Sequence, residues 1–360
     1  MKQINVTKTF LPPKEEYDQV VSQAWESGWI TNHGPLVKEL ENQLKAYFDV
    51  DYFLFLNNGT NALQVAIKAL NLSGKVLTTP FSYVATTSSL VWENCEPVFI
   101  DIDRSTFNMD VAALESHISD DVSAIMATHV FGNPCDVEEI EKIAQKYGIP
   151  VIYDAAHCFG TRYKNKSVLK WGTISTLSFH ATKLFHTVEG GGVVSNSNDL
   201  YHKMSYLRNF GHNGPEDFWG LGINGKNSEF HAAMGLCLFN HLETIFAKRK
   251  ERFEYYKQKL IGNELTYQKI GDDVDYNYAY FPVVFSNPEI REKVQENLAE
   301  MNVISRRYFY PSLNNLPYVN YVNMPNAEYI ADRILCLPFY PDLELPDIDL
   351  ITGVINRTVQ

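Results

Sequence analysis

The chain has 360 residues, of which 45% are hydrophobic and 21% charged, and its formal net charge is −12. This composition is ordinary for a globular protein, and the length predicts two or three domains, or one large domain with an appendage. The negative charge argues against a nucleic-acid-binding surface, which requires clustered basic residues. Apolar runs stay shorter than the ~18 residues of a membrane span, and the first residues lack the apolar region of a secretion signal.

Strand-like and helix-like segments alternate through the first part of the chain. Short apolar runs predict strands at residues 52–56, 76–79, 97–101, 124–128, 150–153, 174–179 and 192–195. The intervening segments predict helices at residues 60–70, 84–93 and 137–147. Buried strands punctuated by helices are typical of a mostly parallel sheet, so the predicted fold class is α/β.

The pattern changes after Ser228. A long helical stretch is predicted as far as about residue 260, a strand at residues 278–285 and a further helix at residues 288–301. We therefore place a domain boundary between residues 240 and 250. The division is a large domain of residues 1–245, with an N-terminal arm, and a small C-terminal domain of residues 246–360.

The five cysteines are odd in number and widely scattered: Cys95, Cys135, Cys158, Cys237 and Cys336. None forms a Cys-x-x-Cys pair, so neither a disulfide framework nor a zinc site is indicated, and we expect no bound metal. Reduced thiols of this kind indicate a cytoplasmic protein.

Open α/β sheets bind ligands outside the carboxyl ends of their strands, and two such ends carry polar candidates. Gly59 and Thr60 follow the first strand, where glycine permits close backbone approach and a helix N-terminus offers N–H groups to a phosphate. A plain turn capped by Thr60 is the alternative. Asp154 ends a buried strand and needs a partner. That partner is a metal or a protonated heterocyclic nitrogen, unless Asp154 is a helix cap.

Two further strand ends carry rings and a lysine. Phe81 or Tyr83 could stack on a planar ligand, with core packing as the alternative. Lys183 lies among apolar residues between two strands, where desolvation lowers the pKa of an ammonium group, and a neutral amine can attack a carbonyl. A solvated surface lysine is the alternative. Ser178 is a further phosphate donor. Phosphate cradle, acid, ring and lysine together match pyridoxal 5′-phosphate.

The same motifs, in this order, resemble the sugar aminotransferases of the DegT/DnrJ/EryC1/StrS family, which are fold type I enzymes that use pyridoxal 5′-phosphate. The resemblance covers essentially the whole chain, through residues 28–31, 58–60, 79–86, 154–157, 178–183 and 222–229. It implies an α/β fold with helices on both faces of a mostly parallel sheet, plus a smaller C-terminal α/β domain.

The resemblance also implies roles for residues near the cofactor ring. Lys183 is the catalytic lysine that binds the cofactor covalently, and Asp154 pairs with the pyridine nitrogen. Tyr83 stacks on the ring, with Phe81 as the alternative. His157 lies near the ring, at a position where many family members have glutamine.

The phosphate, by the same resemblance, is held by Gly59, Thr60 and Ser178. Asn224 reaches the phosphate in the neighbouring subunit, which implies a homodimer with shared active sites. Lys226 and Asn227 stand where the family commonly has arginine and methionine, so no role is carried over to these two positions.

The segment around Lys183 is similar to that of family members that aminate C-4, most of all those that make dTDP-4-amino-4,6-dideoxyglucose. The resemblance implies transfer from L-glutamate to C-4 of a dTDP-4-keto-6-deoxyglucose-type nucleotide sugar, in the biosynthesis of a surface polysaccharide such as the lipopolysaccharide O-antigen. Perosamine-type 4-keto sugars are an alternative substrate class. A protein that binds the cofactor or a nucleotide sugar without turnover is the alternative function.

Several residues are candidate substrate contacts: Thr31, His186, Glu189 and Tyr310, with Tyr308 over the nucleotide and Arg306 or Arg307 at the pyrophosphate. A surface position is the alternative for His186. A bond to a backbone N–H in the glycine turn is the alternative for Glu189.

Overall fold

The structure is a computed structural model that describes residues 2–262 and 264–359. In the first part of the chain the helices and strands are, in order, α1 (Lys14–Ser27), α2 (Pro35–Phe48), β1 (Tyr52–Leu56), α3 (Gly59–Ala69), β2 (Gly74–Thr78), α4 (Val84–Trp92), β3 (Cys95–Phe99), α5 (Val111–Leu114), β4 (Val122–Thr128), α6 (Val137–Tyr147), β5 (Val151–Asp154), β6 (Arg162–Tyr163), β7 (Lys166–Ser167), β8 (Ile174–Ser178), β9 (Gly191–Ser195), α7 (Asn198–Arg208) and α8 (Glu229–Phe239).

The remainder of the chain forms α9 (Leu242–Lys259), β10 (Leu265–Thr266), β11 (Val274–Asp275), β12 (Pro282–Phe285), α10 (Pro288–Glu300), α11 (Pro325–Arg333), β13 (Ile334–Cys336) and α12 (Leu345–Val359). Strands β10, β12 and β13 form a small antiparallel sheet. Strand β11 pairs with the β6–β7 hairpin. The fold is therefore α/β with a smaller C-terminal α/β part.

The central sheet has the strand order β1-β9-β8-β5-β4-β2-β3. Its neighbours pair in parallel except around β9, which runs antiparallel to both β1 and β8. The prediction of a mostly parallel sheet is confirmed. The reversal of β9 has a direct consequence, because the loop from β8 to β9 stays at the edge where the other strands end. The residues after β1, β2, β4, β5 and β8 therefore all meet at one edge.

The sheet is covered by helices on both faces, and strand alternation sends its side chains to two different cores. Phe53 and Phe55 of β1 pack in a cluster with α2 residues such as Leu40. Leu54 and Leu56 pack on the opposite face, in the cluster that includes the helix α3. The apolar strand runs in the sequence are explained by this burial on both sides.

The predicted single helix up to residue 260 is broken at Asn240 and His241 into α8 and α9. The side chain of His241 is hydrogen-bonded to Glu16 of α1, with 3.0 Å between Nε2 and Oε2. Helix α9 then spans two cores, since Ile245 packs with the large sheet and Tyr256 with the C-terminal sheet. The domain boundary at residue 245 stays a prediction.

The predicted strand at residues 278–285 is shorter, and only Pro282–Phe285 pair in the sheet. Tyr278 has a φ of 53°, outside the strand region. The carbonyl groups of Tyr278 and Ala279 accept hydrogen bonds from Arg249 Nη1, at 3.0 and 3.1 Å, and so do not pair with a neighbouring strand.

All five cysteines are free and buried. Within residues 2–262 and 264–359, none of the helices combines the length and apolarity needed to cross a bilayer.

Candidate active site

A cavity of about 260 Å³ opens at the sheet edge where these strands end. Its floor is formed by the residues that follow β1, β2, β4, β5 and β8. The opposite wall, called here the roof, comes from the C-terminal part of the chain and consists of Tyr280, Arg306, Tyr308 and Phe309. The cavity thus lies between two parts of the fold, a common position for a ligand site.

Lys183 enters the cavity from the loop between β8 and β9. The loop is closed by the hydrogen bond from Thr187 N to Phe179 O at 2.9 Å. Phe185 anchors it by stacking on Phe159 at 4.3 Å between ring centroids. Burial lowers the pKa of Lys183 from 10.5 to about 8, against the opposing attraction of Asp154. Such an amine is neutral in a useful fraction of molecules near pH 7, so it can act as a nucleophile or base.

Asp154 lies at the end of β5 with only 5% of its surface exposed. Its Oδ2 accepts a hydrogen bond from Thr86 Oγ1 at 2.7 Å, and its Oδ1 accepts one from Ala156 N at 3.1 Å. Burial raises the pKa of Asp154, while these two hydrogen bonds and Lys183 oppose the rise. One donor on each oxygen leaves lone pairs for a cationic partner in the cavity.

His157 is buried among aromatic rings. Its ring lies parallel to Phe131 and Phe309, at 6.2 and 5.8 Å, and 4.8 Å from Tyr280. Its Nδ1 accepts a hydrogen bond from Phe131 N at 3.2 Å. Burial holds the pKa of His157 well below its usual value, so the ring is neutral. Because Nδ1 accepts, the hydrogen bond assigns the ring proton to Nε2, which is free to donate.

The end of β1 and the start of α3 form a small cradle beside Lys183. Asn58 caps the helix by accepting the Asn61 N–H on Oδ1 at 2.8 Å. Gly59 and Thr60 belong to the first turn, whose N–H groups have no acceptor within the helix. A Cβ atom at Gly59 would lie 2.9 Å from Ser178 Cβ. Only glycine permits this approach, and the cradle suits an anion.

The two aromatic candidates differ in position. Tyr83 precedes α4, lines the cavity and is 54% exposed. Phe81 is fully buried and packs edge-on against Phe107, Phe131 and Phe309. Tyr83 is therefore the ring that a planar ligand can reach, and Phe81 is a core residue.

The structure separates Glu189 from His186. Glu189 lines the cavity, with Oε1 3.6 Å from His180 Nε2. The expectation that His186 contacts a substrate is wrong, and so is the alternative of a surface position. His186 is fully buried, with Nε2 2.7 Å from Phe10 O and Nδ1 accepting from Val188 N at 3.2 Å. His186 therefore stabilises the loop between β8 and β9 through these two hydrogen bonds.

Three other candidates lie outside the cavity of their own chain. Thr31 and Tyr310 are exposed, and Tyr310 stacks with Arg307 at 3.3 Å. Within one chain Thr31 and Tyr310 therefore do not line the cavity, and their contacts with a substrate stay a prediction. Asn224 is also exposed, and its Oδ1 accepts a hydrogen bond from Lys226 Nζ at 2.9 Å.

Thr86 and Tyr280 are site residues that the sequence analysis missed. Thr86 follows Ser82 by four residues across the start of α4, so the spacing of these two hydroxyl residues was an available signal. Tyr280 comes from a segment 97 positions away and places its OH 3.5 Å from Lys183 Nζ. No local pattern points to such a contact.

Comparisons with known proteins agree with this architecture. The model of the DegT/DnrJ/EryC1/StrS aminotransferase family matches residues 13–356. A dTDP-4-amino-4,6-dideoxy-D-glucose transaminase of Shigella dysenteriae is 40% identical, with 99% of each chain covered. A GDP-perosamine synthase of Escherichia coli O157:H7 is 31% identical, again over 99% of each chain. The crystal structure of DesI with its TDP-sugar product superposes with a TM-score of 0.95 at 28% identity, covering 100% of this chain and 94% of DesI.

Proposed function

The chain belongs to the DegT/DnrJ/EryC1/StrS aminotransferase family, and we propose that it moves an amino group from L-glutamate to C-4 of a dTDP-4-keto-6-deoxyglucose-type nucleotide sugar. It is a pyridoxal 5′-phosphate-dependent aminotransferase, as its relatives are. The observation that carries the proposal is that Lys183, with a pKa of about 8, and the buried Asp154 open onto one cavity.

The residues around the cavity fit this cofactor. Asp154 keeps lone pairs free for a protonated ring nitrogen, and Tyr83 offers an accessible ring for stacking. The cradle of Gly59, Thr60 and Ser178 offers N–H and hydroxyl donors to a phosphate. Lys183 supplies the amine that would bond to the carbonyl carbon of the cofactor. The bound cofactor supplies an electron sink that makes a Cα–H bond of the amino donor acidic.

The chain's own residues then handle protons and orientation. Once the amino donor has displaced it from the cofactor, Lys183 Nζ would take the proton from Cα of that donor and deliver it to C4′ of the cofactor, which requires an amine that is neutral near pH 7. Asp154 holds a proton on the ring nitrogen by its negative charge. His157 donates from Nε2 into the cavity and, being neutral, adds no competing charge. The packing of His157 against Phe131 and Phe309 excludes water from the part of the cavity that His157 lines.

The substrate assignment depends on the sequence around the lysine and on the relative named above. Glu189 and His180 lie together at the cavity wall, where they can bind sugar hydroxyl groups. Arg306 lies at the roof, is exposed, and can bind a pyrophosphate. The similarity to a GDP-perosamine synthase keeps a GDP-linked 4-keto sugar as the second candidate.

A homodimer with shared active sites is part of the proposal. Asn224 is exposed and lies outside its own cavity, as expected for a residue that reaches the partner's cofactor phosphate. The same segment exposes Phe218, Leu221 and Ile223, at 60, 75 and 40%. Apolar side chains exposed together are typical of an interface. We further place the enzyme in the cytoplasm, in the synthesis of a surface polysaccharide, consistent with five free, buried thiols.

Two assays test the proposal. Purified protein loaded with pyridoxal 5′-phosphate is mixed with L-glutamate alone, and the visible absorbance of the bound cofactor should change. An unchanged spectrum would instead support a binding protein without turnover. Glutamate is then combined with dTDP-4-keto-6-deoxyglucose, its 3-keto isomer or the GDP-linked 4-keto sugar, and NMR locates nitrogen in the product. We expect an equatorial nitrogen at C-4 of the dTDP sugar, and nitrogen at C-3 or an axial product would contradict the assignment.

The catalytic role of Lys183 is tested by Lys183→Ala. This variant should lose turnover and the visible absorbance of the lysine-bound cofactor while its circular dichroism is unchanged. Turnover retained by Lys183→Ala would overturn the assignment of the lysine, whatever the substrate.

A further inference from the structure

Three buried hydroxyl groups form a chain that ends at Asp154. Thr128 Oγ1 lies 3.2 Å from Ser82 Oγ, and Ser82 Oγ lies 2.7 Å from Thr86 Oγ1. Thr86 Oγ1 in turn lies 2.7 Å from Asp154 Oδ2. The three hydroxyl-bearing residues are each at most 3% exposed, and they come from the end of β4, the loop after β2 and helix α4. Three separate elements therefore contribute hydroxyl groups to one chain, and Thr86 at its end contacts the carboxylate oxygen.

The direction of donation along this chain follows from proton counting. Each hydroxyl group has one proton, and an ionised carboxylate only accepts. Thr86 therefore donates to Asp154, Ser82 to Thr86, and Thr128 to Ser82. If Asp154 became protonated it could donate to Thr86 and the chain would reverse. A hydrogen bond donated to a carboxylate favours its ionised form, so donation from Thr86 to Oδ2 favours the ionised carboxylate of Asp154.

We propose that Thr128, Ser82 and Thr86 are positioning residues that keep Asp154 ionised and its free lone pairs directed into the cavity, and that they thereby hold the proton on the ring nitrogen of the bound cofactor. The inference rests on the proposed pairing of Asp154 with that nitrogen. Hydrogen bonds in such a chain polarise one another, so Ser82 and Thr128 strengthen the bond that Thr86 makes.

The other groups near Asp154 favour its ionised form less strongly than the bond from Thr86 does. Burial raises the pKa of Asp154, and among the opposing influences the bond from Thr86 comes first, followed by Ala156 N–H and the attraction of Lys183. His157 is neutral, and the thiol of Cys158 is also uncharged because burial raises its pKa. Lys183 no longer offers a free ammonium group once it is bound to the cofactor. The Thr86 bond then matters more than before.

Helix α4 supplies a matched pair of variants for the test. Thr86→Val removes the donor to Asp154 with little change in shape. Thr87→Val is the control, because Thr87 is fully buried next in sequence and its hydroxyl has no hydrogen-bond partner among the described residues. Ser82→Ala removes the middle of the chain, and Thr86→Ser keeps the hydroxyl. Each purified variant is freed of cofactor, checked for folding by circular dichroism, and titrated with pyridoxal 5′-phosphate.

The first readout is the dissociation constant of the cofactor. We expect it to rise about 5- to 10-fold in Thr86→Val, in the range expected from weakening one hydrogen bond to a charge, and by less in Ser82→Ala. Thr87→Val and Thr86→Ser should bind as the unmodified protein does.

The second readout is the pH at which the absorbance of the lysine-bound cofactor titrates. A positive charge on the ring nitrogen disfavours a second proton on the nitrogen that Lys183 contributes. Loss of that charge should therefore move the midpoint to higher pH in Thr86→Val but not in Thr87→Val. A merely structural role for Thr86 would leave the midpoint unmoved.

Asp154→Asn separates failure of the inference from failure of the proposed role of Asp154. If Asp154→Asn raises the midpoint and the dissociation constant but Thr86→Val matches Thr87→Val in both, the hydroxyl chain has no such role and the inference is overturned. If Asp154→Asn itself changes neither quantity, the pairing of Asp154 with the ring nitrogen fails.

Discussion

The energetic cost of burying Lys183 gives a prediction that needs no cofactor. The pKa of Lys183 falls from 10.5 to about 8 in the fold. At ~1.4 kcal/mol per pKa unit, this difference corresponds to about 3 kcal/mol of destabilisation wherever the ammonium form prevails. The side chain is partly open to water in the cavity, so solvent screening reduces the expected cost to about 1–2 kcal/mol.

The sign of the effect follows from the protons bound in each state. Below about pH 8 the folded and unfolded states both carry the ammonium proton, and the folded state bears the full cost. Between about pH 8 and pH 10.5 the unfolded state binds more protons, so stability rises with pH. Above that range the cost is gone. Lys183→Met should therefore raise the free energy of unfolding by about 1–2 kcal/mol near pH 7, with a gain that vanishes near pH 10.5.

The assay is urea denaturation of cofactor-free protein across this pH range. Lys183→Met and a control variant are each compared with the unmodified chain. Lys8→Met is the control, because Lys8 is exposed and its replacement should change stability equally little at every pH. Equal stabilities of Lys183→Met and the unmodified protein near pH 7 would refute the buried-charge argument. A gain that persists above pH 10.5 would refute it too, since it would reflect packing.

Three further variants probe other parts of the site. Gly59→Ala should weaken cofactor binding at least tenfold and lower the free energy of unfolding by about 1 kcal/mol, because its Cβ would lie 2.9 Å from Ser178 Cβ. Equilibrium titration measures the affinity and thermal unfolding the stability, and an unchanged affinity would contradict the role of the cradle. Asn224→Ala should lower cofactor affinity by roughly 1.5–3 kcal/mol if it donates across a dimer, and light scattering that finds a fully active monomer would rule this out. Tyr280→Phe should lower kcat several-fold through loss of the contact 3.5 Å from Lys183, whereas Tyr278→Phe is the matched control, and equal kcat values in the two variants would assign Tyr280 to packing alone.

The elements that sequence reasoning located are those whose signals are local. Strand β1 and helix α6 have the predicted bounds, because a short apolar run and a helical repeat each identify themselves within about ten residues. Asp154 and Lys183 were found for the same reason, since Asp154 ends β5 and Lys183 lies in the loop that follows β8. Together with the phosphate cradle and the ring they indicated the cofactor, and the family resemblance then implied the role of each residue.

What sequence reasoning could not supply depends on contacts between distant segments. The reversal of β9 leaves no mark in its composition, because a buried antiparallel strand is as apolar as a parallel one. His186 has the polarity of a ligand-binding residue, but its Nε2 is hydrogen-bonded to the carbonyl group of Phe10, 176 positions away. Tyr280 reaches Lys183 across 97 positions. Partners this far apart can be identified only in the folded chain.

The register of β1 against β9 places Leu56 opposite Gly191, and a Cβ atom at Gly191 would lie 2.5 Å from the Asn58 backbone. The cradle and the end of the lysine loop are therefore in main-chain contact and cannot shift independently. The roof is different, because Tyr280, Arg306 and Tyr308 meet the cavity through side chains from another part of the fold. Variation that adapts this scaffold to new nucleotide portions of the substrate should accumulate in the roof, and directed libraries for that purpose are best placed there while the backbone of the floor is kept constant.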